Sequence, residues 1–174
     1  MKPSQKAINS ACRMLGIREH SEKQIRIKLI KKGFDRNEIT EAVEFLYESS
    51  WLSNERFCGS FIRSKAGKGQ GKIRIEFELQ QNEISQILID NAFEQENINW
   101  QAECERVLVK KVLSCCSYND FYDVTFIDNE LKVTNSKLEF KNKLKIERFM
   151  KYRGFEPGQV KKAFLKMNIQ IIYQ

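Results

Sequence analysis

The residues best suited to chemistry lie between Trp51 and Ile84, in the order WLSNERFCGSFIRSKAGKGQGKIRIEFELQQNEI. At the centre, Lys65-Ala66-Gly67-Lys68-Gly69-Gln70-Gly71 sets three glycines among two lysines, with Arg56, Arg63, Lys72 and Arg74 on its flanks. Glycine lets the backbone turn sharply and come close to a partner, and the cations supply attraction for anions. The chemistry is therefore recognition of negative charge, on phosphates or on an acidic protein surface. A second reading stays open, a solubilising surface in which Lys72–Glu76 and Arg74–Glu78 form i,i+4 pairs, each worth ~0.2–0.5 kcal/mol. Nucleotide hydrolysis is a poor fit, because Lys68-Gly-Gln-Gly-Lys72 lacks the G-x-x-x-x-G-K-[ST] order. The segment before it also reads as a helix, where a phosphate loop needs a strand.

Catalytic and metal chemistry find little to build on. The single histidine, His20, directly precedes Ser21, a helix-capping serine, and is expected to be exposed and structural. Five cysteines (Cys12, Cys58, Cys104, Cys115, Cys116) form no C-x-x-C pair, too few ligands at metal spacing for zinc. Cys12 and Cys58 fall on apolar helix faces and are expected in the core, while Cys115-Cys116 is expected reduced and solvent-side. Glu76, Glu78, Glu94 and Glu96 belong to solvated helix faces. The expectation is a protein that is not an enzyme and uses no cofactor or metal.

Composition bounds the rest. With 41% apolar and 11% aromatic residues the chain can bury a sizeable core and is not a disordered tail. Two prolines and eight glycines in 174 residues favour long regular elements, mostly helices. Thirty Lys and Arg against 23 Asp and Glu leave a net charge of +7, favouring nucleic acid or an acidic protein as partner. No apolar run approaches the ~18 residues of a membrane span, and MKPSQKAINS has no signal-peptide core. The chain is expected to be a cytoplasmic monomer with no membrane association.

The elements that must position the basic elbow repeat three times. Laying Phe34 on Ile84 carries Ile25, Leu29, Ile39, Ala42 and Val43 onto Ile75, Leu79, Ile89, Ala92 and Phe93. Laying Phe34 on Phe155 carries the same five onto Ile146, Met150, Val160, Ala163 and Phe164, and Gly33 onto Gly154. Each unit reads as three helices. In the first, Ile8, Ala11 and Leu15 share a face; Ser21 with Gln24 and Asp35 with Glu38 are capping boxes; Gly33 ends the middle helix. Glu156-Pro157 opens the matching helix of the last unit. The expected fold is all-α, with tandem three-helix repeats over residues 1–50, 51–97 and 98–174 stacked into an elongated, curved solenoid. An insertion at about residues 113–137 interrupts the third repeat. Within it Val124, Phe126, Leu131 and Val133 alternate around Asp128-Asn129, and a β-hairpin and a long loop both remain open. A second basic cluster, Lys141, Lys143, Lys145, Arg148, Lys151 and Arg153, occupies the middle helix of the last repeat. With Arg26, Lys28, Lys31 and Lys32 in the first repeat, it suggests a continuous basic face.

In order and spacing, several segments resemble the RecX family of bacterial regulators of the RecA recombinase. They are Arg18 to Ile25 with Lys28-Leu29, Trp51 to Phe57, Phe61 to Gly71, Ile73 to Leu79, and Lys145 to Phe155. The resemblance covers nearly the whole chain and implies tandem three-helix repeats. It also implies binding in the groove of RecA filaments on single-stranded DNA, inhibiting strand exchange, ATP hydrolysis and the coprotease role in the SOS response. By motif, Arg56, Arg63, Lys65, Lys68, Lys72 and Arg74 would make the contacts, joined by Lys145, Arg148, Lys151 and Arg153 of the second cluster. A direct single-stranded DNA binder acting by competition is the alternative.

Overall fold

The computed structural model describes residues 5–115, 123–127, 130–134, 137–168 and 170–172. The chain runs α1 (Gln5–Leu15), α2 (Glu22–Lys31), α3 (Arg36–Glu48), α4 (Asn54–Gly67), α5 (Lys72–Gln81), α6 (Gln86–Glu96) and α7 (Trp100–Cys115). Strands β1 (Asp123–Ile127), β2 (Glu130–Thr134) and β3 (Lys137–Glu139) follow, then α8 (Phe140–Arg153), α9 (Pro157–Lys166) and β4 (Gln170–Ile172). The architecture is all-α, built of tandem three-helix repeats. Among the described residues no helix is long and apolar enough to cross a membrane.

The repeat register holds at the level of side-chain burial. Ile25, Leu29, Ile39, Ala42 and Val43 are buried, as are Ile75, Leu79, Ile89, Ala92 and Phe93 in the second repeat. Ile146, Met150, Phe155, Val160 and Ala163 follow in the third, where Phe164 is half-buried. Helix ends follow the local chemistry. Asp35 accepts from the Glu38 N–H at 2.9 Å and Glu38 returns the bond to the Asp35 N–H at 3.0 Å, a complete capping box. At Ser21 only half of the expected box forms, the hydroxyl accepting from the Gln24 N–H at 3.2 Å. The Gln24 amide instead donates to Asn82 Oδ1 at 2.7 Å. The left-handed residue that ends the middle helix is glycine at Gly33 (φ 85°) and Gly154 (φ 87°), but Glu83 (φ 60°) in the second repeat.

The chain divides into two compact units, Met1–Ser64 with Glu76–Asn97, and Lys65–Ile75 with Ile98–Gln174. In the first, α1, α2 and α3 enclose Ile25, Leu29, Ile39, Val43, Leu46 and Leu52. Ser21, Lys23 and Gln24 tie this core to the 76–97 segment through Asn82, Glu83 and the Gln81 carbonyl. In the second unit α7, α8 and α9 enclose Leu108, Val112, Leu138, Ile146, Met150 and Phe155. Leu113 to Cys115 of the expected insertion belong to α7, and its described strands pair with each other. β1 and β2 pair antiparallel with Val124 opposite Val133 and Phe126 opposite Leu131, while Asp128-Asn129 lies outside the described residues. A parallel pairing of β3 with β4, Leu138 opposite Ile171, was not visible as a pattern in the sequence. Each strand is three residues long, too short for alternation to register.

Cys58 and Cys104 are buried, and burial pushes their thiols up to about 11 and about 12, which keeps them protonated. Cys12 is half-buried, and Cys116 lies outside the described residues.

His20 departs from expectation. It is structural but only 2% exposed. Its Nδ1 lies 2.9 Å from the Arg18 carbonyl and its Nε2 lies 2.7 Å from Lys28 Nζ. The partners assign a neutral ring, with Nδ1–H donating to the carbonyl and Nε2 accepting from the lysine. Burial lowers the His20 pKa, opposed by the Arg18 carbonyl and aided by the Arg18 and Lys28 charges. The unfolded chain therefore takes up a proton that the folded chain resists. That contribution is undiminished above the usual histidine pKa of about 6.5 and is lost as pH falls below it toward the lowered folded value. We expect the urea midpoint to be lower near pH 5 than near pH 7.5, and His20→Gln to flatten that difference. An unchanged slope in the variant would assign the pH dependence to other groups.

Candidate binding surface on the elbow and helix α8

The basic elbow, Lys65 to Ile75, belongs to the second unit. Helix α4 stops where the Gly69 N–H reaches the Ala66 carbonyl at 2.8 Å and the Gln70 N–H reaches the Lys65 carbonyl at 3.0 Å. Gly69 holds φ 74°, and a Cβ there would lie 2.8 Å from Val107 Cγ2 of α7. The chain then meets the end of α8. The Gly71 N–H donates to the Arg153 carbonyl at 2.8 Å and the Ile73 N–H to the Gly154 carbonyl at 3.2 Å. Helix α8 ends with carbonyls that lack intrahelical partners and α5 begins with N–H groups in the same position, so each end satisfies the other. Their dipoles also meet favourably, the negative end of α8 against the positive start of α5.

This joint explains the glycines. A Cβ on Gly71 would overlap the Gly154 carbonyl, and a Cβ on Gly154 would overlap the backbone of Arg74. The close approach that the sequence offers to an anion is made at Gly71 by the chain itself. Gly67 alone remains open, with nothing near a Cβ placed on it.

The arginines are engaged as well. Arg74 donates from Nη1 to the Tyr152 carbonyl at 3.1 Å and its guanidinium lies 4.5 Å from the Tyr152 ring. Arg153 donates to the Lys68 carbonyl at 2.9 Å and lies 5.1 Å from the Phe149 ring. Arg56 and Arg63 fall in the first unit. Arg56 pairs with Glu19 at 2.9 Å and donates to the Ser50 and Trp51 carbonyls; Arg63 pairs with Glu96. Lys65 is half-buried and Lys72 exposed at the start of α5.

Lys68, Lys145, Arg148 and Lys151 are exposed, with no ion-pair partner among the described residues. Eight of the ten expected contact residues thus lie in the second unit. Charge is divided in the same way. The second unit holds 18 Lys and Arg against 9 Asp and Glu, a net +9, leaving 12 against 14, a net −2, for the first. Three of the four first-repeat cations expected to extend the face have internal partners, and Lys31 is exposed. Arg26 pairs with Glu22 at 2.7 Å, Lys28 faces His20, and Lys32 donates to Ser10 at 2.8 Å. Sequence reasoning missed Tyr152, which is 72% exposed beside Arg74. Its offset in the repeat carried no warning, since it follows from the approach of α5 to α8. Among the described residues no cluster of His, Cys, Asp or Glu could hold a metal ion.

Two family models match the chain, "RecX, first three-helix domain" over residues 7–46 and "RecX, second three-helix domain" over residues 53–92. Regulatory protein RecX of Vibrio vulnificus is 30% identical over 161 residues, covering 92% of each chain. That of Yersinia enterocolitica is 28% identical over 178 residues, 90% of this chain and 95% of the relative. A crystal structure of RecX from Lactobacillus salivarius superposes with a TM-score of 0.65 at 15% identity, covering 93% of this chain and 94% of the other. A further RecX crystal structure gives 0.67 at 15% identity over 93% and 71%. At that identity the structures speak for the fold.

Proposed function

This chain belongs to the RecX family of regulatory proteins, and we propose that it acts in the groove of the RecA filament on single-stranded DNA. There it would inhibit strand exchange, ATP hydrolysis and coprotease activity in recombination and the SOS response. The observation that carries this reading is the concentration of charge, +9 on the second unit against −2 on the first. A filament groove lies near a phosphate backbone and between protein subunits, where one basic face can serve both. Of the ten expected contact residues, Lys68, Lys145, Arg148 and Lys151 are exposed and without ion-pair partners among the described residues, and Lys72 is exposed at the start of α5. Arg74 and Arg153 act first as struts of the joint that presents them.

One observation favours direct binding of single-stranded DNA as a second reading. The exposed Tyr152 ring with Arg74 against it has the composition of a base-stacking platform. A titration of RecA ATPase on single-stranded DNA, run beside a bare-DNA binding assay, separates the two. The filament reading expects inhibition well below stoichiometry with nucleotides and association with preassembled filaments. The competition reading expects tight binding to bare DNA, with affinity falling steeply as salt rises. ATPase untouched by substoichiometric protein would end the filament reading.

A further inference from the structure

Helices α8 and α9 leave between them a groove of about 680 Å³ whose floor is apolar. Leu144, Phe155, Val160, Phe164 and Leu165 form that floor, and Leu165 is 70% exposed. Cations stand around it at Lys143, Arg148, Lys151 and Lys161, with Glu147 the single acid, 3.6 Å from Lys143. Grooves of this kind occur in the third repeat and in the first. A second one, between α2 and α3, is lined by Arg26, Ile30, Phe34, Arg36, Ile39 and Thr40. The shift that lays Phe34 on Phe155 carries these six onto Glu147, Lys151, Phe155, Pro157, Val160 and Lys161, all in the α8–α9 groove.

The two copies differ in what surrounds the shared positions. In the first repeat Glu22 accepts from the Tyr47 hydroxyl at 3.0 Å, and Glu44 stands on α3. At the corresponding places the third repeat has Lys143, Asn168 and Leu165. Ile27 and Ile30 become Arg148 and Lys151. Over the twelve matched positions the first repeat sets Lys23, Arg26 and Arg36 against Glu22 and Glu44, a net +1, and the third sets four cations against Glu147, a net +3, with Leu144 and Leu165 replacing Ile27 and Ile30 as apolar residues.

We propose that the α8–α9 groove is a docking site for an acidic amphipathic segment of a partner protein, apolar side chains on the floor and carboxylates on the rim. An anionic partner is selected by the rim, four cations to one acid. The floor is mostly aliphatic where it is exposed, at Leu144 and Leu165, which suits the side chains an amphipathic helix presents at i, i+4 and i+7 better than the flat bases of a nucleic-acid strand, whose stacking partners are aromatic. The groove shares Arg148 and Lys151 with the surface proposed for filament binding, and its test is placed at Leu165 and Lys161, which that reading does not use.

The test uses the full chain and a fluorescein-labelled helical peptide with leucines at i, i+4 and i+7 and glutamates on both flanks. Anisotropy should show saturable binding, weakened about tenfold or more by Leu165→Asp and by Lys161→Glu. Both side chains are exposed, so the melting temperature should hold in each variant. Three results would overturn the proposal: no binding to the wild-type chain, equal binding of a peptide with lysines in place of glutamates, or equal binding to Leu165→Asp. An oligo-dT affinity that falls with Leu165→Asp by the same factor would make the occupant nucleic acid and overturn it too. So would a dimer, seen by light scattering, that Leu165→Asp dissolves, because a second copy would then fill the groove.

Discussion

Gly154→Ala should destabilise the chain by about 3 kcal/mol or more, while Gly33→Ala should cost only ~1–2 kcal/mol. The two glycines hold nearly the same backbone conformation, φ 87° and 85°, at the same place in their repeats. Left-handed strain on an alanine is therefore equal at both. Their surroundings differ. Nothing stands within reach of a Cβ on Gly33, whereas a Cβ on Gly154 meets the backbone of Arg74. Backbone cannot rotate away as a side chain would, so relief requires α5 to leave the end of α8. The move would cost the Gly71 and Ile73 hydrogen bonds to the Arg153 and Gly154 carbonyls. Urea unfolding of both variants beside wild type reads the difference directly. Equal costs would mean that the α5–α8 joint contributes no more than its glycine conformation.

The repeat was legible because helical burial writes itself at fixed spacing, and each of the five aligned positions in the second repeat is buried as the first predicts. The middle-helix stop was legible as glycine in two repeats only. In the second repeat Glu83 takes the left-handed conformation, so no glycine marks the stop in the sequence. The elbow was found by composition, but its use was not. Gly71 looks the same in sequence whether its bare backbone faces an anion or the Gly154 carbonyl, because the neighbour lies more than eighty residues away. Separations of 78 and 85 residues likewise conceal the work of Arg74 and Arg153, each bonded to a carbonyl across the joint. Charge was legible as a total of +7, and its division into +9 and −2 needed the contacts that assign Lys65–Ile75 to the second unit.

That division sets the second large effect. Lys68→Glu with Lys145→Glu should weaken inhibition of RecA ATPase on single-stranded DNA by about tenfold or more. Each reversed charge is taken as ~0.7 kcal/mol, and 1.4 kcal/mol is tenfold. Both side chains are exposed and without ion-pair partners among the described residues, so the variant should keep its helicity and melting temperature. The matched control is Lys31→Glu with Lys32→Glu, two exposed lysines of the first unit. It removes the same four units of net charge, and its effect on inhibition should stay within about twofold if steering by total charge is minor. The salt dependence gives an independent reading. If Lys68 and Lys145 meet phosphates, the slope of log K against log salt should flatten by ~0.7 for each phosphate of a single strand that is no longer neutralised, and the control should leave it alone. If they meet carboxylates of the recombinase instead, inhibition falls while the bare-DNA slope is unchanged. Equal weakening in both double variants would place the effect in net charge alone and remove these lysines from the binding surface.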